Sequence, residues 1–130
     1  MEEEALTAKI IGCAMQVQST LGPGYLESVY EKALAHELQK AGLSVACQQP
    51  IQVMYDGIIA GDFIADMVVE GRVIVENKAV QVLTKAHEAQ LVNYLTATGI
   101  EIGLLLNFGA PSLEFKRKYR TYRPKKSGQD

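Results

Sequence analysis

The chain has 130 residues, of which 48% are hydrophobic and 22% charged. That is enough to bury most of its apolar surface in one core, and it excludes a disordered or fibrous chain. Its net charge of −2 gives no overall affinity for nucleic acid, yet seven of the thirteen Lys and Arg fall between Lys116 and Lys126, while residues 1–115 hold fourteen of the fifteen acids against six bases. A phosphate-binding surface must therefore draw on the C-terminal segment or on metal ions.

The start, Met1-Glu2-Glu3-Glu4, is the reverse of a basic signal-peptide opening. From Ala5 to Leu21, Leu6, Ile10, Cys13, Ala14 and Val17 recur at the spacing of an amphipathic helix, interrupted by Lys9, Gln16 and Gln18. No membrane segment and a cytoplasmic location are expected. Gly22-Pro23-Gly24 ends the helix, and a second follows from about Tyr25 to Lys40. Its expected inner side carries Leu26, Val29, Tyr30, Ala33, Leu34 and Leu38, and Gly42 is the stop.

From Ser44 the pattern turns β-branched: 44–55, then Asp56-Gly57, 58–69, then Glu70-Gly71, and 72–80. Three strands joined by two hairpins are predicted. Thr84 is the expected N-cap of a third helix through Thr98, with Gly99 just past its end. Residues 100–108 form a buried fourth strand, and Ser112 to Arg123 an edge strand. The expected architecture is an α/β domain over 1–123, in the order ααβββαβ plus a C-terminal edge strand, with a mixed four- to five-stranded sheet flanked by helices and a loose tail at 124–130. The helix between the third and fourth strands makes that pair parallel if they are neighbours.

Asp66 lies among apolar residues of the second strand, and Glu76 and Lys78 among those of the third. Charges in such strands are costly unless paired or bound to a metal. Residues two apart share a face, so Glu76 and Lys78 point one way and Asn77 the other. Asp66 joins them only if the Glu70-Gly71 connection is longer than two residues, because a two-residue loop puts Asp66 and Glu76 on opposite faces. Two converging carboxylates offer hard oxygen ligands to Mg²⁺ or Mn²⁺, and a lysine beside them stabilises a phosphorane or orients the attacking water. A buried ion pair without chemistry is the competing reading.

Asp66, nine intervening residues, then Glu76-Asn77-Lys78 resembles the D…E-x-K signature of the PD-(D/E)XK nuclease superfamily. Gly24-Tyr25-Leu26-Glu27-Ser28-Val29-Tyr30 is similar to the motif of the bacterial GxxExxY family within it, and Gln90 to Tyr94 resembles the Q-x-x-x-Y motif of RecB-like nucleases. The resemblance implies a restriction-endonuclease-like core that cuts DNA or RNA with Mg²⁺ or Mn²⁺. It implies metal contacts from Asp66, Glu76, Glu27 and the backbone carbonyl of Asn77, assistance from Lys78, and Gln90 and Tyr94 holding the lysine or the nucleic-acid backbone. The chain departs from the pattern at Asn77, where an apolar residue is usual, and at Ile64-Ala65, where many relatives carry a basic residue.

The remaining candidates are weaker. Lys116, Arg117, Lys118 and Arg120, interleaved with Tyr119 and Tyr122, suit phosphates and unpaired bases equally with protection of a strand edge. His87 reads as a surface or capping histidine, His36 has no role, and Cys13 and Cys47 read as buried reduced thiols. The function expected first is a metal-dependent nuclease. Behind it stand a catalytically weak nucleic-acid-binding or regulatory protein on the same fold, and an interaction protein. A domain this small leaves room for a homodimer that covers an edge or cuts two strands.

Overall fold

The computed structural model describes residues 2–121, and the expected tail and the last two residues of the expected edge strand, Tyr122 and Arg123, lie outside them. The elements follow the predicted order: α1 (Glu2–Leu21), α2 (Glu27–Lys40), β1 (Val45–Tyr55), β2 (Ile58–Val69), β3 (Val73–Lys78), α3 (Lys85–Thr98), β4 (Ile102–Asn107) and β5 (Glu114–Tyr119). The strands form one mixed sheet in the order β1-β2-β3-β4-β5, antiparallel except for the parallel β3–β4 pair that α3 connects.

Alternation along the strands sends side chains into two apolar layers. On one face Met67, Val69, Val75, Leu104 and Leu106 pack against Ile10, Ala14, Tyr30, Leu34 and Leu38 of α1 and α2. On the other, Val68, Ile74 and Leu105 meet Leu91, Tyr94 and Leu95 of α3, joined by Ala65 from beyond the end of the regular β2–β3 ladder. Helix α3 sits close because Gly103 has no side chain: a Cβ there would lie 2.8 Å from Leu91 Cδ1. Thr84 caps α3 as expected, and its partner is His87, whose Nδ1 accepts from the Thr84 backbone N–H (3.2 Å) while the His87 N–H donates to Thr84 Oγ1 (3.3 Å). His87 is thus a capping residue.

The inner side expected for α2 needs correction at its start. Leu26 is 78% exposed and Val29 36%. The helix begins at Glu27 and its first turn overhangs the core, so the apolar spacing there points outward. Cys47 is also exposed, because β1 is the edge of the sheet, whereas Cys13 is half-buried with its Sγ toward the Glu37 carbonyl (3.8 Å).

The β2–β3 turn decides what the sheet presents. Val69 pairs with Val73, so three residues, Glu70-Gly71-Arg72, connect the strands. Glu70 (φ 55°) and Gly71 (φ 64°) both adopt left-handed backbone, and the Arg72 N–H closes the turn on the Val69 carbonyl (3.0 Å). Left-handed backbone is unfavourable for glutamate. It is offset by Ser44, whose N–H (2.6 Å) and hydroxyl (2.8 Å) donate to the Glu70 carboxylate and whose carbonyl accepts from the Glu70 N–H (2.9 Å). The turn therefore has the length that a shared face for Asp66 and Glu76 requires.

Candidate active site

Regular β2–β3 pairing stops at Met67–Val75, one step before Asp66 would face Glu76. Beyond it the strands part, and the carboxylates replace the missing backbone bonds. The Asp66 N–H donates to Glu76 Oε2 (2.8 Å), and the Asn77 N–H donates to Asp66 Oδ2 (2.7 Å). Each carboxylate is fixed through one oxygen by the opposite strand, which leaves its second oxygen for another partner. Lys78, half-buried two residues beyond Glu76, lowers the pKa of both acids by its charge.

That single cation does not balance the site. Glu76 is only 4% exposed, and its pKa is pushed up from 4.5 to about 8, first by burial and then by the neighbouring Asp66 charge. Burial likewise raises Asp66, with Glu27 adding to the rise against the Asn77 N–H and Lys78. The carboxyl pair is short of positive charge, which suits a divalent ion.

The model of the PD-(D/E)XK nuclease superfamily matches residues 4–118. The chain belongs to that superfamily. Comparison with curated proteins and with solved structures returned no match. PD-(D/E)XK nucleases typically use divalent metals. The residues present fit a hard cation, since Mg²⁺ is usually held by one or two carboxylates and keeps several waters. Among the described residues no three His, Cys, Asp or Glu side chains come together as a ready cation cage.

The other expected site residues of this PD-(D/E)XK domain divide into two groups. Glu27, exposed on α2, is near enough for its charge to act on Asp66. Gln90 is exposed on α3, and Tyr94 one turn on is 6% exposed, its hydroxyl pKa raised by burial and then by Glu76 and Asp66. Glu27 and Tyr94 thus lie within electrostatic reach of the fork, and Gln90 is one helical turn from Tyr94. The side chain of Asn77 points away from it: Nδ2 approaches Met67 Sδ (3.3 Å) and Oδ1 is buried without a hydrogen-bond partner.

The cations of β5, and Arg120 just past it, are engaged within the chain. Lys116 (3.2 Å) and Lys118 (2.9 Å) both pair with Glu88 of α3, Arg117 donates to Thr7 Oγ1 (3.0 Å), and Arg120 pairs with Glu101 (2.8 Å). Tyr30 of the G-x-x-E-x-x-Y stretch is a structural clamp. Its hydroxyl donates to the Gly22 carbonyl (2.6 Å) and accepts from the Tyr25 N–H (3.1 Å), and its ring stacks on Phe108 at 4.8 Å.

Two residues near the site escaped the sequence reading. Glu31 is one helical turn after Glu27, so helical spacing could have found it. Its carboxylate accepts from Gln48 Nε2 (3.0 and 3.1 Å), and its charge raises the pKa of Glu76. Asn107, fully buried opposite Lys78 on β4, accepts from the N–H groups of Val80 (2.9 Å) and Gly109 (3.0 Å). It also donates to the Val80 carbonyl and to Glu114, both at 2.8 Å. It ties the chain leaving β3 to β4 and so holds the strand end that carries Lys78. No local pattern signals it.

Proposed function

We propose that this protein is a metal-dependent nuclease of the GxxExxY type that hydrolyses phosphodiester bonds of DNA or RNA. The observation that carries the reading is the fork at the end of the β2–β3 ladder, where two carboxylates are fixed by backbone amides with one oxygen of each left over. Asp66, Glu76 and the Asn77 carbonyl would hold Mg²⁺ or Mn²⁺, with Glu27 contributing through bound water. When bound, the ion supplies a more acidic water and charge neutralisation at the phosphate.

The chain's own groups do the rest. Asp66 and Glu76 stay oriented because each accepts a bond from a strand that cannot move independently. Lys78 directs its ammonium at the same space, where it neutralises charge gathering on the phosphorus oxygens and orients the incoming water. Tyr94 and Gln90 border the entry and position the strand.

A second reading has its own observation. Among the described residues Lys116, Arg117, Lys118 and Arg120 are engaged within the chain, which leaves them little sequence-independent hold on duplex phosphates to support turnover. A catalytically weak, regulatory binder fits that economy.

Labelled single- and double-stranded DNA and RNA, incubated with Mg²⁺ or Mn²⁺, test both. Asp66→Asn keeps the acceptor for the Asn77 N–H while removing the charge. That variant and Lys78→Ala are each expected to lower cleavage by roughly 100-fold or more. Absence of metal-dependent cleavage on every substrate overturns the nuclease reading, and binding without cleavage selects the second.

A further inference from the structure

The β1–β2 hairpin is longer than the rest of the sheet, and its outer half projects past β3. Its two-residue Asp56-Gly57 turn pairs Tyr55 with Ile58, and a bulge at Ala60 shifts the register between the Met54–Ile59 and Val53–Gly61 pairs. Where the arm passes α3 it leaves a groove of about 840 Å³, within the range of roughly 300–1,000 Å³ usual for ligand sites.

The chemistry of the lining is specific. It contains two aromatic rings, Phe63 and Tyr94, and three primary amides, Gln52, Gln90 and Asn93, with no ionisable group other than the Tyr94 phenol. The Phe63 ring is 44% exposed, lies back over Gly61, where a Cβ would come within 2.8 Å of it, and meets Tyr94 at 5.7 Å with a 41° tilt. Phe63 is three residues from Asp66 along β2, about 10 Å at strand rise. Tyr94 packs with Ala65 and Ile74, the neighbours of the fork, so its ring is shared by groove and fork.

A planar ligand with apolar faces and a donor–acceptor edge matches this lining. Aromatic faces stack on any base, and amides offer both donors and acceptors to a base edge. A duplex hides both features, and its phosphates would need cations that the groove does not have. We propose that the groove between the hairpin arm and α3 is a nucleobase subsite, in which an unpaired base stacks on Phe63 with Gln52, Gln90 and Asn93 at its edge. The substrate is therefore a single strand or a frayed end, with the phosphodiester beside the held base delivered to Asp66 and Glu76. The proposal rests on the nuclease reading for its substrate class.

The test measures binding and cutting separately. Fluorescence anisotropy with labelled 12-nucleotide single-stranded DNA and RNA, the matching duplexes, and a strand whose bases are replaced by abasic spacers is run with Ca²⁺ as the metal. The wild type is expected to bind a single strand roughly 5- to 150-fold tighter than the abasic strand, the worth of stacking one base. Phe63→Ala and Phe63→Leu are expected to lose most of that preference, while Phe63→Tyr keeps it, at unchanged melting temperature. Equal affinity for normal and abasic strands, tighter binding of duplex, or no binding of any oligonucleotide overturns the subsite. Cleavage with Mg²⁺ that ignores the bases overturns the subsite and leaves the nuclease standing. Base-dependent binding without cleavage on any substrate overturns the nuclease and leaves the subsite.

Discussion

Glu76→Gln replaces a buried carboxyl by its uncharged isostere and keeps an oxygen to accept from the Asp66 N–H. The wild-type Glu76 titrates near 8 in the folded protein, against about 4.5 when free of its surroundings. Below about 4.5 the group is protonated in both folded and unfolded chains and costs nothing. Between 4.5 and about 8 the unfolded chain gives up the proton that the native state keeps, so stability falls as pH rises, and above 8 the full cost stands. At about 1.4 kcal/mol per pH unit the ceiling is about 5 kcal/mol, and coupling to Asp66 and local relaxation bring the expected effect to about 2–5 kcal/mol. In chelator, Glu76→Gln should melt with the wild type near pH 5. By pH 9 it should melt roughly 6–15 °C higher, at about 3 °C per kcal/mol for a domain of this size. Added Mg²⁺ should stabilise the wild type increasingly as pH rises, because the ion competes with protons for the pair, and should leave the variant unmoved. Scanning calorimetry across pH decides it. A gap that does not depend on pH, or a variant less stable than the wild type at pH 9, refutes the account of Glu76.

Two more outcomes follow from contacts outside the fork. Tyr30→Phe leaves the Gly22 carbonyl and Tyr25 N–H without their shared hydroxyl and should cost about 1–3 kcal/mol by urea denaturation, with little change in slope. Glu88→Gln should release Lys116 and Lys118, so nucleic-acid affinity at low salt should rise and the slope of log affinity against log salt should steepen by up to about two. An unchanged salt slope would show that these lysines do not reach phosphate.

The parts of the fold governed by neighbours in sequence were legible. β2 runs from Ile58 to Val69 as its composition indicates, and Thr84 and Gly99 bound α3 because caps are local chemistry. The facing of Glu76 and Lys78 followed from strand periodicity alone. What could not be read depends on distant partners. The turn that aligns Asp66 needs Glu70 in an unfavourable conformation, and Ser44, 26 residues away, makes that tolerable. Leu26 has the right spacing for a buried position, but periodicity does not say where a helix overhangs its core. The basic run of β5 read equally as phosphate-binding or edge-protecting because Glu88 and Glu101 are brought beside it only by the docking of α3 and the sheet order. Glu31 was within reach of helical spacing, yet only the packing of α2 beside β1 shows that its charge acts on the fork.

The three-residue turn also imposes an arithmetic on the chain. Facing residues of an antiparallel pair differ in number by an even amount when the connecting loop holds an odd count, as across Glu70-Gly71-Arg72, and by an odd amount when it holds an even one, as across Asp56-Gly57. If the turn kept its three residues, one residue added within β3 ahead of Glu76 would rotate Glu76 and Lys78 together into the layer of α1 and α2 and bring Asn77 to the fork. With the turn held at three residues, length variation within the strands between Asp66 and Glu76 is thus confined to steps of two unless a bulge restores parity. The spacing of the acidic pair is in this sense a parity constraint written into the sequence, and it rests on the turn that Ser44 and Glu70 hold.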